Sequence, residues 1–258
     1  MERDITIFPS RDLRKIIYLE RSFQIMTDKV LVKWHGHACF TLDFGKKVVV
    51  DPFITGNPSA KIKKEDIKAD LVVVTHGHSD HVGDSVYIAK KNGVPLVTMV
   101  ELAWILEEEN KDLNAIGINY SGNTKVDGIK VSAVLATHSS GYNGKYAGGP
   151  TGMIIENGVS VYHAGDTGVF KDMELIGEMY HPDVALLPIG GHYTMSPHEA
   201  AIAAGMIKAP AVVPMHYNTF DLIKQDPAEF KKEAEENHKV KVSIMKVEEE
   251  LSFDKARH

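Results

Sequence analysis

A chain of 258 residues with 43% hydrophobic and 25% charged residues has the balance of a soluble globular protein with a sizeable core. Its formal net charge of −6 argues against a general nucleic-acid binder, although a basic groove on an acidic protein stays compatible. The single cysteine, Cys39, excludes an intrachain disulfide and fits a reducing compartment.

Residues 1–29 mix Arg11, Arg14, Lys15 and Arg21 with Asp4, Asp12 and Glu20, and hold neither an apolar signal region nor a membrane-length span. They read as an N-terminal extension, with Met26 an alternative start, and the expected location is the cytoplasm. Short strands follow at residues 30–34, 39–43 and 47–51, the last two joined by a Phe44-Gly45-Lys46 turn. The basic run at residues 61–68 reads as a solvated helix. Residues 71–75 are apolar throughout, as in a strand covered on both faces. A helix is expected over 82–91, capped by Asn92-Gly93, then a strand over 94–98 and a helix over 101–110.

The second half repeats the alternation. A strand is expected over 128–137, then a hairpin of 152–156 and 159–164 around Asn157-Gly158. A buried strand over 183–188 precedes a helix over 196–208. There Ser196 caps, Pro197 opens the first turn and Glu199 completes a capping box. A short strand over 211–214, a charged helix over 227–237 and an alternating strand over 239–246 end the series. With no linker or low-complexity run, residues 30–258 read as one domain. The expected fold class is α/β, with two mixed sheets packed face to face and helices outside.

The chemistry gathers at the ends of these strands. His76, His78, Asp80 and His81 fall within six positions, directly after an apolar strand. Asp51, His138, Asp166 and His216 also follow apolar runs, where ligands collect in layered α/β proteins. A lone histidine at such a place is more often hydrogen-bonded or solvated. Five such endings together, one of them this dense, suit a borderline divalent metal held by nitrogen and carboxylate oxygen. Strand alternation puts His35 and His37 on one face unless Gly36 introduces a bulge. No Gly-x-Ser-x-Gly elbow is present, and Cys39 lies inside a strand, so no covalent mechanism competes.

The run His76-x-His78-x-Asp80-His81, followed in order by His138, Asp166 and His216, resembles the metallo-β-lactamase superfamily. The segments 34–40 (Trp-His-Gly-His-Ala-Cys-Phe) and 187–195 (Leu-Pro-Ile-Gly-Gly-His-Tyr-Thr-Met) are similar to its metal-dependent hydrolase branch, which includes ascorbate-6-phosphate lactonase. The resemblance implies a four-layer αββα sandwich with one or two divalent ions. Zinc is the first expectation; manganese, nickel or iron also suit the ligands. His76, His78 and His138 would hold one ion, and Asp80, His81 and His216 the other, with Asp166 bridging. Asp51 would orient an imidazole of the cluster, and His163 would support from behind. His37 would be an extra ligand or a substrate contact, and His192 would polarise substrate or stabilise developing charge. The implied reaction is hydrolysis by metal-activated water of an ester, lactone, amide or phosphoester bond. The substrate would be a small, anionic molecule. The glycine-rich loop 139–151 leaves directly from His138, and it reads equally as an overhang whose Lys145 meets that charge or as a flexible surface loop. A phosphodiesterase or nuclease, and a metal-dependent sensor without turnover, are the alternatives. Neither nucleic acid nor membrane is an expected partner, and a homo-oligomer is compatible.

Overall fold

The computed structural model describes residues 26–256; the greater part of the expected N-terminal extension lies outside them. The first half begins as an antiparallel meander of β1 (Lys29–Gly36), β2 (Cys39–Asp43) and β3 (Lys47–Val50). It continues as parallel strands β4 (Leu71–Val73), β5 (Leu96–Met99) and β6 (Ala115–Ile118). The crossovers carry α1 (Ser79–Val82), α2 (Ser85–Asn92) and α3 (Val100–Glu109). The second half has the same plan. Strands β7 (Asn123–Val126) and β8 (Ile129–Leu135) lead to a small hairpin of β9 (Gly141–Tyr142) and β10 (Lys145–Tyr146). Then come β11 (Thr151–Asn157), β12 (Val159–His163), α4 (Met173–Tyr180), β13 (Val184–Pro188), α5 (Pro197–Ile207), β14 (Ala211–Met215), α6 (Pro227–His238), β15 (Lys241–Val242) and β16 (Glu250–Asp254).

Two seven-stranded mixed sheets result, in the orders β16-β1-β2-β3-β4-β5-β6 and β15-β14-β13-β12-β11-β8-β7. Strand alternation builds the layers. Val48 and Val50 of β3, with Leu71 and Val73 of β4, face the core between the sheets, whereas Val49 and Val72 face outward onto Ile88, Leu102 and Leu106 of α2 and α3. On the far side α4, α5 and α6 cover the second sheet, burying Met173, Ala200, Ala204 and Phe230. This is the expected four-layer sandwich. Among the described residues no helix is long and apolar enough to cross a membrane.

Several elements differ from expectation. The helix foreseen over 82–91 is broken at Gly83, which has φ +43° and whose missing Cβ would lie 2.4 Å from the Pro52 carbonyl oxygen. Close backbone packing there ends α1 just after His81, and Asp84 N–H donates to the same carbonyl at 2.9 Å. Residues 61–68 form only a short 3-10 turn, Lys64–Asp66, with Lys64 Nζ donating to Asp84 Oδ1 at 3.0 Å. Of the final strand expected over 239–246 only Lys241–Val242 pairs. The chain then crosses over, so that β16 closes the edge of the first sheet against β1. The edge strands β6, β7 and β16 were not anticipated: they are short or polar, and their pairing partners carry most of the information.

Candidate metal centre

The chemistry-bearing residues meet at one end of the sandwich, because the strands that carry them all terminate there. Asp51 follows β3, His76 follows β4, Asp166 follows β12 and His216 follows β14. His37 sits in the turn between β1 and β2. Gly36 (φ +97°) shifts the β1–β2 register, so His35 and His37 do not share a face. His35 points away to Glu248 Oε1 at 2.9 Å and Thr41 Oγ1 at 2.8 Å, whereas His37 turns into the site.

Two groups of side chains form. In one, His76, His78, His138 and Asp166 present ligand atoms within 4.8 Å of one another; in the other, His37, Asp80, His81 and His216 do so. Asp166 reaches both groups. Its Oδ1 is 3.2 Å from His81 Nε2, and its Oδ2 is 3.2 Å from His216 Nε2 and 3.5 Å from His138 Nε2. Three residues that converge here, His37 (φ +55°), Asp51 (φ +46°) and His216 (φ +56°), hold left-handed backbone without being glycine. Such conformations persist only where the surroundings enforce them, and they concentrate at functional sites. One enforcing contact joins two of them: His216 N–H donates to the His37 carbonyl at 2.9 Å.

Behind the ligand atoms lies a buried hydrogen-bonded layer. Asp51 Oδ1 accepts from Thr75 N–H at 2.8 Å, while Oδ2 accepts from Thr75 Oγ1 and from His81 Nδ1, both at 2.7 Å. His81 therefore presents Nε2 to the site, as an orienting carboxylate requires. His163 Nε2 donates to the Ala38 carbonyl at 2.9 Å, and its Nδ1 accepts from Gly165 N–H at 3.2 Å. This neutral imidazole ties the Asp166 loop to the turn carrying His37. His37 Nε2 lies 3.1 Å from Asp80 Oδ2 and its Nδ1 lies 3.0 Å from Thr219 Oγ1, so both ring nitrogens are engaged.

The electrostatics call for a cation. Burial pushes the His76 and His138 imidazoles down, and burial followed by the neighbouring His216 holds His37 at about 4. Burial also opposes charge on His81, yet Asp166 and Asp51 outweigh it and raise its pKa. Burial likewise works against ionisation of Asp166, and His216 and His81 reverse it. Among the described residues the cavity lining has no lysine or arginine to balance these carboxylates. Three buried atoms here, His81 Nε2, Asp166 Oδ1 and His216 Nε2, stand 3.2 Å from an ion-pair neighbour yet complete no well-directed hydrogen bond. Unsatisfied, borderline-soft donors of this kind fit divalent metal.

The centre opens into a cavity of about 580 Å³, lined by His78, Asp80, His138, Asp166 and His216 together with Phe53, Tyr193, Phe220 and Leu222. His192 is not brought in. It is exposed, and its ring stands edge-on to Tyr193 with centroids 4.5 Å apart. After the turn at Gly190-Gly191 it is Tyr193, not His192, that joins the cavity lining. Lys145 is also elsewhere, paired with Glu109 at 3.4 Å, and Tyr146 is exposed.

A family model described as a beta-lactamase superfamily domain matches residues 31–216. A UPF0173 metal-dependent hydrolase of Thermoplasma volcanium is 52% identical over 202 residues, covering 78% of this chain and 90% of that relative. A solved metallo hydrolase from the hyperthermophilic archaeon Ignicoccus hospitalis superposes with TM-score 0.81 at 42% identity, covering 88% of this chain and 99% of that one. The chain belongs to the UPF0173 metal-dependent hydrolases of the beta-lactamase superfamily. A metallo-beta-lactamase fold protein from Bacillus subtilis, at 14% identity and TM-score 0.67 over 88% of this chain and all (100%) of that one, shares the fold alone.

In this metal-dependent hydrolase, sequence reasoning missed Thr75, Thr219, Ser139 and the apolar lining. Thr75 could have been found, since it immediately precedes the His76 motif at the end of a buried strand. Ser139 Oγ, 3.4 Å from His78 Nε2, adjoins His138 in the same way. Phe220 and Leu222 carry no such signal, because an exposed loop with aromatic and aliphatic residues is unremarked in a sequence.

Proposed function

We propose that the protein hydrolyses an ester, lactone, amide or phosphoester bond of a small molecule, using water activated at one or two divalent ions. The observation that carries this reading is the set of buried, unsatisfied ligand atoms on His81, Asp166 and His216, the last two residues lining an open cavity. His76, His78 and His138 would hold one ion and Asp80, His81 and His216 the other, with Asp166 shared; zinc, manganese, nickel and iron all suit this donor set. When bound, such ions acidify water and polarise a carbonyl or phosphoryl oxygen.

The remaining work belongs to the chain. Asp51 fixes the ring of His81 so that Nε2 faces the cavity. His37, held by Thr219, aims its Nε2 at Asp80; burial works against ionisation, but this bond together with the His81 and His37 charges holds the Asp80 carboxylate well below the ordinary range and therefore anionic. From the cavity wall Asp80 can take the proton released as water attacks and return it to the leaving group. The sequence resemblance to ascorbate-6-phosphate lactonase supports a lactone among the candidate bonds. His192, which does not line the cavity, has no part in this scheme.

The test combines elemental analysis of purified protein with hydrolysis of lactones, thioesters and bis-p-nitrophenyl phosphate, before and after chelation. Turnover that disappears with chelator and returns with one or two equivalents of metal is the expected result. Well-folded protein that neither contains nor binds a transition metal would overturn it.

A further inference from the structure

We infer that the part of the substrate remote from the cleaved bond is uncharged and apolar, of the size of an aromatic ring, rather than anionic. The inference deepens the hydrolase reading and rests on it for the reacting bond, but not for the binding of the remote group. Phe53, Tyr193, Phe220 and Leu222 arrive from three separate loops, after β3, β13 and β14, and stand together around the mouth of one cavity. Tyr193 is 53% exposed, Phe220 40% and Leu222 59%. Large apolar side chains scattered singly over a surface need no explanation; a rim of them over a polar floor marks a ligand that covers them.

The rim is also held in place. The Phe53 and Phe220 rings lie 6.4 Å apart at 40°, and each meets the His37 ring edge-on at 5.6 Å. His37 in turn contacts Asp80 at 3.1 Å, so an apolar group resting against these rings would leave the reacting bond over the polar floor. Charge points the same way. A remote carboxylate or phosphate calls for a lysine or arginine, and among the described residues none lines the cavity. Lys145, the cation expected from the sequence to meet such a group, is occupied by Glu109.

A matched pair of probes tests this on the full-length, metal-loaded protein: γ-phenyl-γ-butyrolactone against its γ-carboxy counterpart for hydrolysis, and the corresponding γ-lactams for binding by calorimetry. We expect the phenyl lactam to bind at least about tenfold more tightly than the carboxy lactam, the discrimination a desolvated apolar contact supports. Phe220→Ala and Leu222→Ala should weaken the phenyl lactam by about the same factor and leave the carboxy lactam unchanged, whereas Leu222→Lys should narrow the preference. Both side chains are partly exposed, so these variants leave the core intact. Equal or tighter binding of the carboxy lactam by the wild type, or equal weakening of both lactams in the variants, would overturn the inference. If the lactam preference holds while neither lactone is hydrolysed, the apolar binding group stands and lactone cleavage falls.

Discussion

Asp51 shows how one buried side chain can fix the ring of a neighbour, His81, that it holds from behind. Its two oxygens are saturated by Thr75 and His81, and its own backbone is held left-handed where β3 ends. Asp51→Asn keeps the size but presents an amide in place of one acceptor, so His81 loses its orienting bond. Metal affinity should fall by about 10–100-fold, the usual effect of removing an orienting partner, with the cooperative unfolding transition retained; equilibrium dialysis against buffered zinc measures it. Asp80→Ala removes a ligand candidate and a proton carrier together. It should abolish turnover while circular dichroism stays unchanged, because Asp80 is partly exposed at the cavity wall. Full activity in that variant would contradict the assignment.

Among the elements, α5 is the one whose start is written most plainly. Ser196 Oγ accepts from Glu199 N–H at 3.3 Å, and Glu199 Oε2 accepts from Ser196 N–H at 2.8 Å, with Pro197 at the first helical position. Ser196→Ala leaves the Glu199 N–H without its acceptor and should lower stability by about 1 kcal/mol, read from urea unfolding. The helix lies on the outer face of the second sheet, so metal content should not change. The first helical stretch teaches the opposite lesson. Its pattern runs on through residue 91, yet the backbone of Gly83 must pass Pro52 too closely for any side chain, and the helix splits. That break sets the position of His81 and could not be read from periodicity, since Pro52 lies 31 residues before Gly83.

For the whole molecule, buried neutral histidines couple folding to pH. Burial lowers the pKa of His35, against the opposing pull of Glu248, and burial likewise lowers that of His163. Above pH 6.5, the ordinary value, both rings are neutral folded or unfolded. As pH falls below it, the unfolded chain takes up protons that the folded chain refuses, so stability declines toward acid. Urea midpoints should therefore drop from pH 7 to pH 5, and His35→Gln should make the drop shallower; an identical slope in the variant would contradict the sign. Metal acts in the same balance. Ions that bind only the folded chain add about 2.7 kcal/mol at a hundredfold excess over Kd, so chelation should lower the melting temperature.

Much of this was legible in the residues alone. Apolar runs ending in His or Asp, the Asn157-Gly158 hairpin and the capped start at Ser196 are local signals, because neighbours a few positions apart decide them. The division into alternating strands and helices, and the placing of His and Asp side chains at strand ends, follow from such signals. Tertiary structure alone decided which groups share a cation space, why His37 enters it while His35 leaves, and why Tyr193 rather than His192 faces the cavity. It also joined β16 to β1 and gathered Phe53, Phe220 and Leu222 into one rim. The reason is the same in each case. These outcomes depend on backbone approach and packing between segments far apart in the chain, and no periodicity or spacing records a distance of that kind.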